Sequence, residues 1–432
     1  MTGLLYECSI RGYVLLIRVA AFFIPKARLW VEGRRNWRTR LTEAMAPAFS
    51  GKRKVAWFHA ASLGEFEQGR PVIEDFRKEN PGYFILLSFY SPSGYEIRKN
   101  YPGADHICYL PADTASAARD FVAIVRPDIA FFIKYEFWFN YLTCLKKGGA
   151  AVILFSAIFR ENQAFFRWWG GFYRSLLLLF DSVLVQNRKS AELLGKISGL
   201  KEVLIAGDTR FDRVAQLAES GRELGEIKAF TGDSPCLVVG SAWGQDMDVI
   251  IPALNRLGGG IKAIIAPHEI NREEIAAWQE KLSGRSILYS EYKACGFMLP
   301  EPAPDYIFID NIGMLSLLYR YGSMAYVGGA FGKGLHNTLE PAAWGMPVFF
   351  GNRSYARFSE AVDLLELGIA RAVENPEGLA DTIETYLNDP VRLRNVSLQC
   401  RQYVAAHTGA TGKVMQVAGR LLNQSRNSSS AR

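Results

Sequence analysis

The 432-residue sequence contains little that would hold a metal or a disulfide framework. Its six cysteines, Cys8, Cys108, Cys144, Cys236, Cys295 and Cys400, are scattered and form no C-x-x-C pair. A chain of this length needs no disulfides to build a core, so the thiols read as reduced, cytosolic and mostly buried. The five histidines show neither H-E-x-x-H nor any clustered spacing, which argues against a metal site. There is no short internal repeat, no helix-turn-helix, no RNA-binding signature and no zinc spacing, so nucleic acid is not expected as a partner. Long apolar runs are missing too. The stretch LLYECSIRGYVLLIRVAAFFIP near the N-terminus is apolar and aromatic, but Glu7, Arg11 and Arg18 interrupt it. No uninterrupted run reaches the roughly 18–20 residues of a spanning helix, and the small-residue cleavage site of a signal peptide is absent.

What is present describes a globular protein. Hydrophobic residues make up 49% and charged residues 22%, which supports real cores. A mean hydropathy of +0.01 excludes a polytopic membrane protein. The net charge of +7 and pI of about 9.0 favour an anionic partner: nucleotide, anionic lipid or nucleic acid. After the apolar N-terminal stretch come Lys26, Arg28, Arg34, Arg35, Arg38 and Arg40. An apolar, partly amphipathic helix followed by a basic cluster suits a membrane surface, with its basic side toward the cytoplasm. The competing reading is a core helix with a solvated basic connector.

From residue 54 onward, apolar strands alternate with amphipathic helices. Strand candidates are KVAWFHA, YFILLSF, DIAFFIK, AAVILFS, SVLVQN and EVLIAG, with helices expected over 65–79 and 114–125. A polar stretch, RVAQLAESGRELGEIKAFTGDSP, separates them from CLVVGS, IKAIIAP, DYIFID, SMAYVGG and PVFF. Near-continuous apolar strands between helices imply parallel sheets covered on both faces. Two such series imply two doubly wound domains facing each other, with ligands in the cleft at the carboxyl ends of the strands. The tail NQSRNSSSAR reads as disordered.

Several strand ends carry candidate chemistry. In VGGAFGKGLHNTLEPAAWGMPVFFG (327–351), a strand runs into Gly328-Gly329 and a loop holding Gly332, Lys333 and Gly334. Asn337 then reads as a helix N-cap with Glu340 three residues on. Glycines let backbone N–H groups approach an anion, and Glu340 is placed to accept ribose hydroxyls. The same Asn-x-x-Glu spacing is also that of a capping box. Pro267 and His268 end another strand, and Asn311, Ile312 and Gly313 occupy a third corner. In the first series, WFHAASLGEFEQGRP (57–71) places Glu65 at a strand-to-helix turn. Ser62-x-x-Glu65 matches a capping box, so Glu65 reads either as a helix cap or as a base. Lys134 and Glu136 in IKYEFWFN, and Asp208, Arg210 and Asp212 in GDTRFDRV, join it at neighbouring strand ends. A nucleotide cradle in one half, and a carboxylate with cations in the other, suit group transfer from a nucleotide-activated donor to a hydroxyl.

Taken together, HAASLGE, YEFW, GDTRFD, APHE, DNIGMLSLLY and GGAFGKGLHNTLEPAAWGMPV resemble the transferases of 3-deoxy-D-manno-oct-2-ulosonic acid (Kdo) in lipopolysaccharide biosynthesis. The resemblance runs to about residue 410. It implies an α/β protein of two facing Rossmann-like domains, the B-type glycosyltransferase fold, with an N-terminal membrane-associated helix. The corresponding segments are 1–45 at the membrane, 46–215 binding the acceptor, 216–395 binding CMP-Kdo, C-terminal helices over 396–424 packing back on the first domain, and a tail over 425–432. The resemblance also implies inverting, metal-independent transfer of Kdo from CMP-Kdo to the 6′-hydroxyl of a lipid A precursor. The location implied is the cytoplasmic side of the bacterial inner membrane, contacted through residues 4–40, and no cofactor is expected.

Carried over by motif, Glu65 is the general base and Arg210 the cation that stabilises the transition state, where the family usually has Lys. Lys134 stands where the family often has Glu, and Glu136 is left to take part of that role. Pro267, His268, Ile312, Gly313, Met314, Asn337, Thr338, Leu339 and Glu340 align with donor-binding segments; Ser241 and Lys333 are further donor candidates. In GSAWGQD, Trp243 replaces a histidine of the family pattern and receives no role. The rival readings are a UDP-sugar-dependent B-type transferase, a sugar-nucleotide epimerase, and a non-catalytic nucleotide-binding protein at the membrane surface.

Overall fold

The computed structural model describes residues 2–219 and 223–430 and divides into two compact units. The first comprises residues 1–213 and 407–432, the second 214–406. Each unit is built on a seven-stranded parallel sheet.

The first sheet consists of β1 (Lys54–Ala60), β2 (Tyr83–Phe89), β3 (His106–Tyr109), β4 (Ile129–Ile133), β5 (Ala151–Ala157), β6 (Ser182–Val185) and β7 (Val203–Ile205). Its order is β3-β2-β1-β4-β5-β6-β7, so the direction of winding reverses between β1 and β4. Alternate residues of β1 serve opposite faces: Val55 and Trp57 join one core, Ala56, Phe58 and Ala60 the other. Phe58 stacks on Phe131 of β4 at 4.3 Å on the second face. Burial on both faces explains why these strands read as continuous apolar runs.

The second sheet contains β8 (Cys236–Ala242), β9 (Lys262–Pro267), β10 (Ser286–Leu288), β11 (Tyr306–Phe308), β12 (Met324–Val327), β13 (Val348–Gly351) and β14 (Ala370–Val373). Its order is β10-β11-β9-β8-β12-β13-β14, and winding reverses between β8 and β12. Both sheets therefore have a switch point, where open α/β sheets place their ligands.

Some expectations need correcting. The polar stretch after residue 210 is not a plain connector; it holds the helices Thr209–Glu219 and Gly225–Thr231. The chain does not return to the first unit at residue 396. The helix Pro390–Ala406 stays in the second unit, where Cys400 and Met346 are in contact, and the crossing falls at 407. Asp212 then receives the backbone N–H of Thr411 at 2.8 Å and that of Gly409, starting the last helix on the first unit. That helix runs Ala410–Ser430, so residues 425–430 are helical where the sequence suggests a disordered tail. Once Val414, Val417 and Leu422 are buried, each added residue propagates an existing helix. Residues 431–432 of the expected tail lie outside the described residues.

At the N-terminus, the helices Thr2–Ala20, Pro25–Glu32 and Trp37–Ser50 precede β1. No helix among the described residues is long and apolar enough to cross a membrane. Arg34, read as part of a solvated basic cluster, is instead enclosed. It donates to the carbonyls of Tyr90 at 2.7 Å and Leu110 at 2.8 Å and lies 3.8 Å from the Trp30 ring centre. Burial pushes its guanidinium down to about 10. Arg38 is likewise taken up by Asp120 at 2.8 Å. Leu15, Leu16, Val19, Phe22, Phe23, Arg18, Lys26 and Arg28 remain exposed.

Candidate active site

Glu65 sits in the first turn of the helix Leu63–Glu79, directly after β1. The residue before that helix, Ser62, is extended and makes no side-chain bond to the helix backbone. Its hydroxyl donates to the Glu65 carboxylate instead. The capping-box geometry suggested by Ser-x-x-Glu is therefore not formed; the serine orients the carboxylate. Glu65 is half-buried, and its charge is felt by Tyr135 beyond β4. Burial raises the Tyr135 hydroxyl most, and Arg160, hydrogen-bonded to it, acts in the opposite direction.

One turn along the same helix, Gln68 carries the connection onward. Its amide lies 3.4 Å from Asp208, and its carbonyl accepts from the Thr209 hydroxyl. Asp208 in turn holds Arg210 through Nε at 2.8 Å and the backbone N–H at 2.9 Å. Arg210 is thus a fixed, ion-paired cation at the start of its helix.

Glu136 is buried, 8% exposed, and belongs to a network that the motif reading missed. His59, fully buried at the end of β1, places Nε2 3.0 Å from the Glu136 carboxylate; Trp138 Nε1–H donates to the same oxygen at 2.6 Å. His59 Nδ1 lies 2.9 Å from the Ser88 hydroxyl, which accepts from Trp57 Nε1 at 2.8 Å. His59 Nδ1 also lies 3.1 Å from the Ser88 carbonyl oxygen, so both ring nitrogens face oxygen atoms. His59 could have been suspected from its place at a strand end, two residues after Trp57 on the same face. Lys134, adjacent to this network, has a backbone φ of +70° and a half-exposed side chain whose ammonium lies 5.5 Å from the Tyr135 ring centre.

The second unit gathers its candidates at the carboxyl ends of β8, β9, β11 and β12. Ser241, at a break in the β8–β9 register, has φ +54°. Pro267 pairs with Ala242, whose carbonyl accepts from the His268 N–H at 2.9 Å. Asp246 ties the switch point together by accepting from the N–H of Trp243 at 3.0 Å, the N–H of Gly329 at 2.8 Å and the Tyr326 hydroxyl at 3.0 Å. Burial raises its carboxyl despite these bonds. The loop after β12 requires glycine. A Cβ on Gly328 would lie 2.2 Å from the Ser241 carbonyl oxygen, and Gly329 has φ +94°.

Asn337 is not the helix N-cap. Thr338 holds that position, and the helix is Leu339–Ala343. Asn337 accepts from the Leu339 N–H at 3.1 Å and donates to Glu340 at 3.1 Å, which fixes the carboxylate. The Thr338 hydroxyl is buried without a hydrogen-bond partner. At the β11 end, Ile312 is 90% exposed, Gly313 has φ +96°, and the Asn311 amide touches the Met314 sulfur at 2.9 Å.

A cavity of about 670 Å³ lies elsewhere, at the amino-terminal edge of the first sheet, and includes Lys54, Arg126, Leu145 and Lys147. Arg126 and Lys147 stand at the C-terminal ends of the helices Ala115–Val125 and Phe139–Gly148. Cations there complement the helix dipoles, so their presence has a structural account.

Residues 35–213 match the family model of the 3-deoxy-D-manno-octulosonic-acid transferase (Kdo transferase). That span includes Glu65, Lys134, Glu136 and Arg210. The 3-deoxy-D-manno-octulosonic acid transferase of Bordetella pertussis is 26% identical over 428 residues, covering 93% of this chain and 97% of its own. Over most of its length the chain is similar to Kdo transferases. A further relative, the transferase of Aquifex aeolicus, is 27% identical over 300 residues, covering 68% of this chain and 75% of its own. Among solved structures, the Neisseria meningitidis UDP-GlcNAc 2-epimerase bound to UDP-GlcNAc superposes with a TM-score of 0.60 at 14% identity, covering 86% of this chain and all of that one (100%). The corresponding epimerase of Methanocaldococcus jannaschii gives 0.51 at 14% identity, covering 78% and 93%. At such identities the likeness concerns the fold, two Rossmann-like domains, and that is how this chain is built.

Proposed function

We propose that this protein transfers Kdo from CMP-Kdo to the 6′-hydroxyl of a lipid A precursor, with inversion, at the cytoplasmic face of the inner membrane. The observation that carries the reading is the position of Glu65. It lies within the span matched to the Kdo transferase family, at a strand end, half-buried and oriented by Ser62. Glu65 takes the proton of the hydroxyl as its oxygen attacks the anomeric carbon, and CMP departs with the bonding electron pair. Arg210, fixed by Asp208, supplies positive charge as negative charge develops. Lys134 and Glu136 flank the reacting sugar. In the second unit, Pro267, His268, Ile312, Gly313, Met314, Asn337, Thr338, Leu339 and Glu340 bind the nucleotide, assisted by Ser241 and Lys333. The paired Asn337 and Glu340 suit ribose hydroxyls, and no metal takes part in the proposed chemistry. The exposed apolar residues of the N-terminal helices hold the protein on the bilayer that contains its acceptor.

The test is Kdo transfer from CMP-Kdo to a tetraacylated lipid A precursor by wild type and Glu65→Gln. Glutamine can still accept from Ser62, so melting should be unchanged. The expected loss in kcat is about 10²–10⁴-fold for a general base. A folded variant with full activity would remove Glu65 from the chemistry, and a wild type that never transfers Kdo would overturn the reading.

A further inference from the structure

Four side chains at the carboxyl edge of the second sheet form one assembly. Trp243 precedes the helix Gly244–Leu257 after β8, His268 follows β9, and Lys333 and His336 belong to the loop after β12. The Trp243 and His268 rings stack with centroids 4.3 Å apart and planes 26° apart. His268 stacks equally on His336, at 4.4 Å and 23°. Trp243 Nε1–H donates to His336 Nε2 at 3.1 Å, so these rings lie edge to edge, 15° from coplanar. His268 therefore lies across both. The Lys333 ammonium sits 3.8 Å from the centre of the Trp243 ring.

The hydrogen bond requires a lone pair on His336 Nε2, hence a neutral imidazole with its proton on Nδ1. Burial, and then the neighbouring His268, push His336 down to about 4, and burial lowers His268 as well. Lys333 thus faces an uncharged aromatic surface. It is exposed and lies between Gly332 and Gly334, where the backbone alone gives a side chain little guidance. The Trp243 ring gives it a defined position. An ammonium has three N–H donors, so Lys333 can keep its ring contact and still give a charge-assisted hydrogen bond to a phosphate or carboxylate.

We propose that Trp243 is a positioning residue of the donor site: its ring holds the Lys333 ammonium beside the glycine loop, in place to meet an anionic group of the incoming sugar nucleotide while the ring contact is kept. This inference rests on the proposed donor reading and adds a role for a residue outside the family pattern.

The test compares wild type with Trp243→Ala, Trp243→Phe, Lys333→Met and the Trp243→Ala/Lys333→Met double variant. Readouts are KM and kcat for CMP-Kdo, CMP and CMP-Kdo binding by calorimetry, and thermal melting. Trp243→Ala and Lys333→Met should each raise the KM for CMP-Kdo by about tenfold, equivalent to about 1.4 kcal/mol, with kcat changed far less. The double variant should be no worse than the poorer single variant, because both act through one contact. Trp243→Phe should recover most of the loss, since it keeps a ring for Lys333 and His268 and loses only the N–H.

An unchanged KM in Trp243→Ala, or effects that multiply in the double variant, would overturn the proposal. Should the alanine variant not fold, Trp243→Phe against Trp243→Leu gives the same contrast, and equal KM values overturn it. If wild type binds CMP-Kdo without turning it over, the proposed activity fails while calorimetry still decides the role of Trp243. If wild type binds neither CMP nor CMP-Kdo, this inference falls with the donor assignment.

Discussion

His59 Nε2 and the Glu136 carboxylate lie 3.0 Å apart, both buried, at the carboxyl ends of adjacent strands. The carboxylate stands at one end of a hydrogen-bonded network that runs through His59 and Ser88 to Trp57. Trp138 reaches the same oxygen from the other side. Burial of this network fixes the turn that carries Lys134 and Glu136.

Replacing Glu136 by alanine should therefore cost stability as well as activity. The His59 and Trp138 N–H groups would be left without their acceptor, at about 1–3 kcal/mol for each orphaned donor. Glu136→Gln keeps an acceptor oxygen and should lose much less stability. Urea unfolding of the two variants measures the difference. Equal stability losses would mean that the carboxylate charge, rather than the hydrogen bonds, holds the turn.

Lys134 combines a half-exposed side chain with a left-handed backbone at φ +70°. Such a conformation costs a non-glycine residue about 1–2 kcal/mol. Lys134→Gly should therefore retain or slightly raise thermal stability, while a β-branched Lys134→Val lowers it. Lys134→Glu places a second carboxylate beside Glu136 and should alter the transfer rate or acceptor range without a change in melting. Identical kinetics in Lys134→Glu would remove Lys134 from the reaction.

Much of this arrangement was legible in the sequence. The strands with long apolar runs were located within a residue or two, because burial on both faces leaves an unbroken hydrophobic signature. The missed strands, His106–Tyr109, Ser286–Leu288 and Ala370–Val373, are short and sit at sheet edges, where one side needs no partner. Glu65, Arg210 and the glycine loop stand at strand ends, where the sequence places them. Ser62 was paired with Glu65 by spacing, though as a helix cap, whereas Gln68 and Asp246 act through tertiary geometry that spacing does not reveal. Arg34 was misread because its aromatic enclosure of Trp30, Tyr90 and Tyr109 is assembled from distant segments.

Asp113 predicts an unusual pH dependence. It is buried and accepts from the Tyr6 hydroxyl at 2.6 Å, the Asn140 N–H at 3.0 Å and the Tyr141 N–H at 2.9 Å. Burial outweighs these bonds and pushes the carboxyl up to about 6. Between its unfolded value and that point, the folded protein binds the extra proton, so this group's stabilising effect is present at low pH and lost as pH rises through about 6. The span corresponds to a contribution on the order of 3 kcal/mol. Asp113→Asn removes the titration, so its stability relative to wild type should improve from pH 4 to pH 7. A pH-independent difference in denaturant midpoints would contradict this.

The N-terminal helices make the last prediction. Phe22 and Phe23 are 77% and 83% exposed, beside exposed Leu15, Leu16 and Val19 and the cations Arg18, Lys26 and Arg28. Since Arg34 is enclosed and Arg38 is ion-paired with Asp120, the remaining cations are the ones most available to a lipid surface. The protein should float with vesicles containing phosphatidylglycerol, bind phosphatidylcholine vesicles less, and lose part of its affinity in high salt. Phe22→Ser/Phe23→Ser should weaken binding by at least about tenfold, because each buried Phe contributes roughly 1.5–3 kcal/mol. Undiminished binding by that variant would leave electrostatics as the whole attraction. Failure of wild type to float at any lipid composition would mean that this apolar face contacts protein rather than a bilayer.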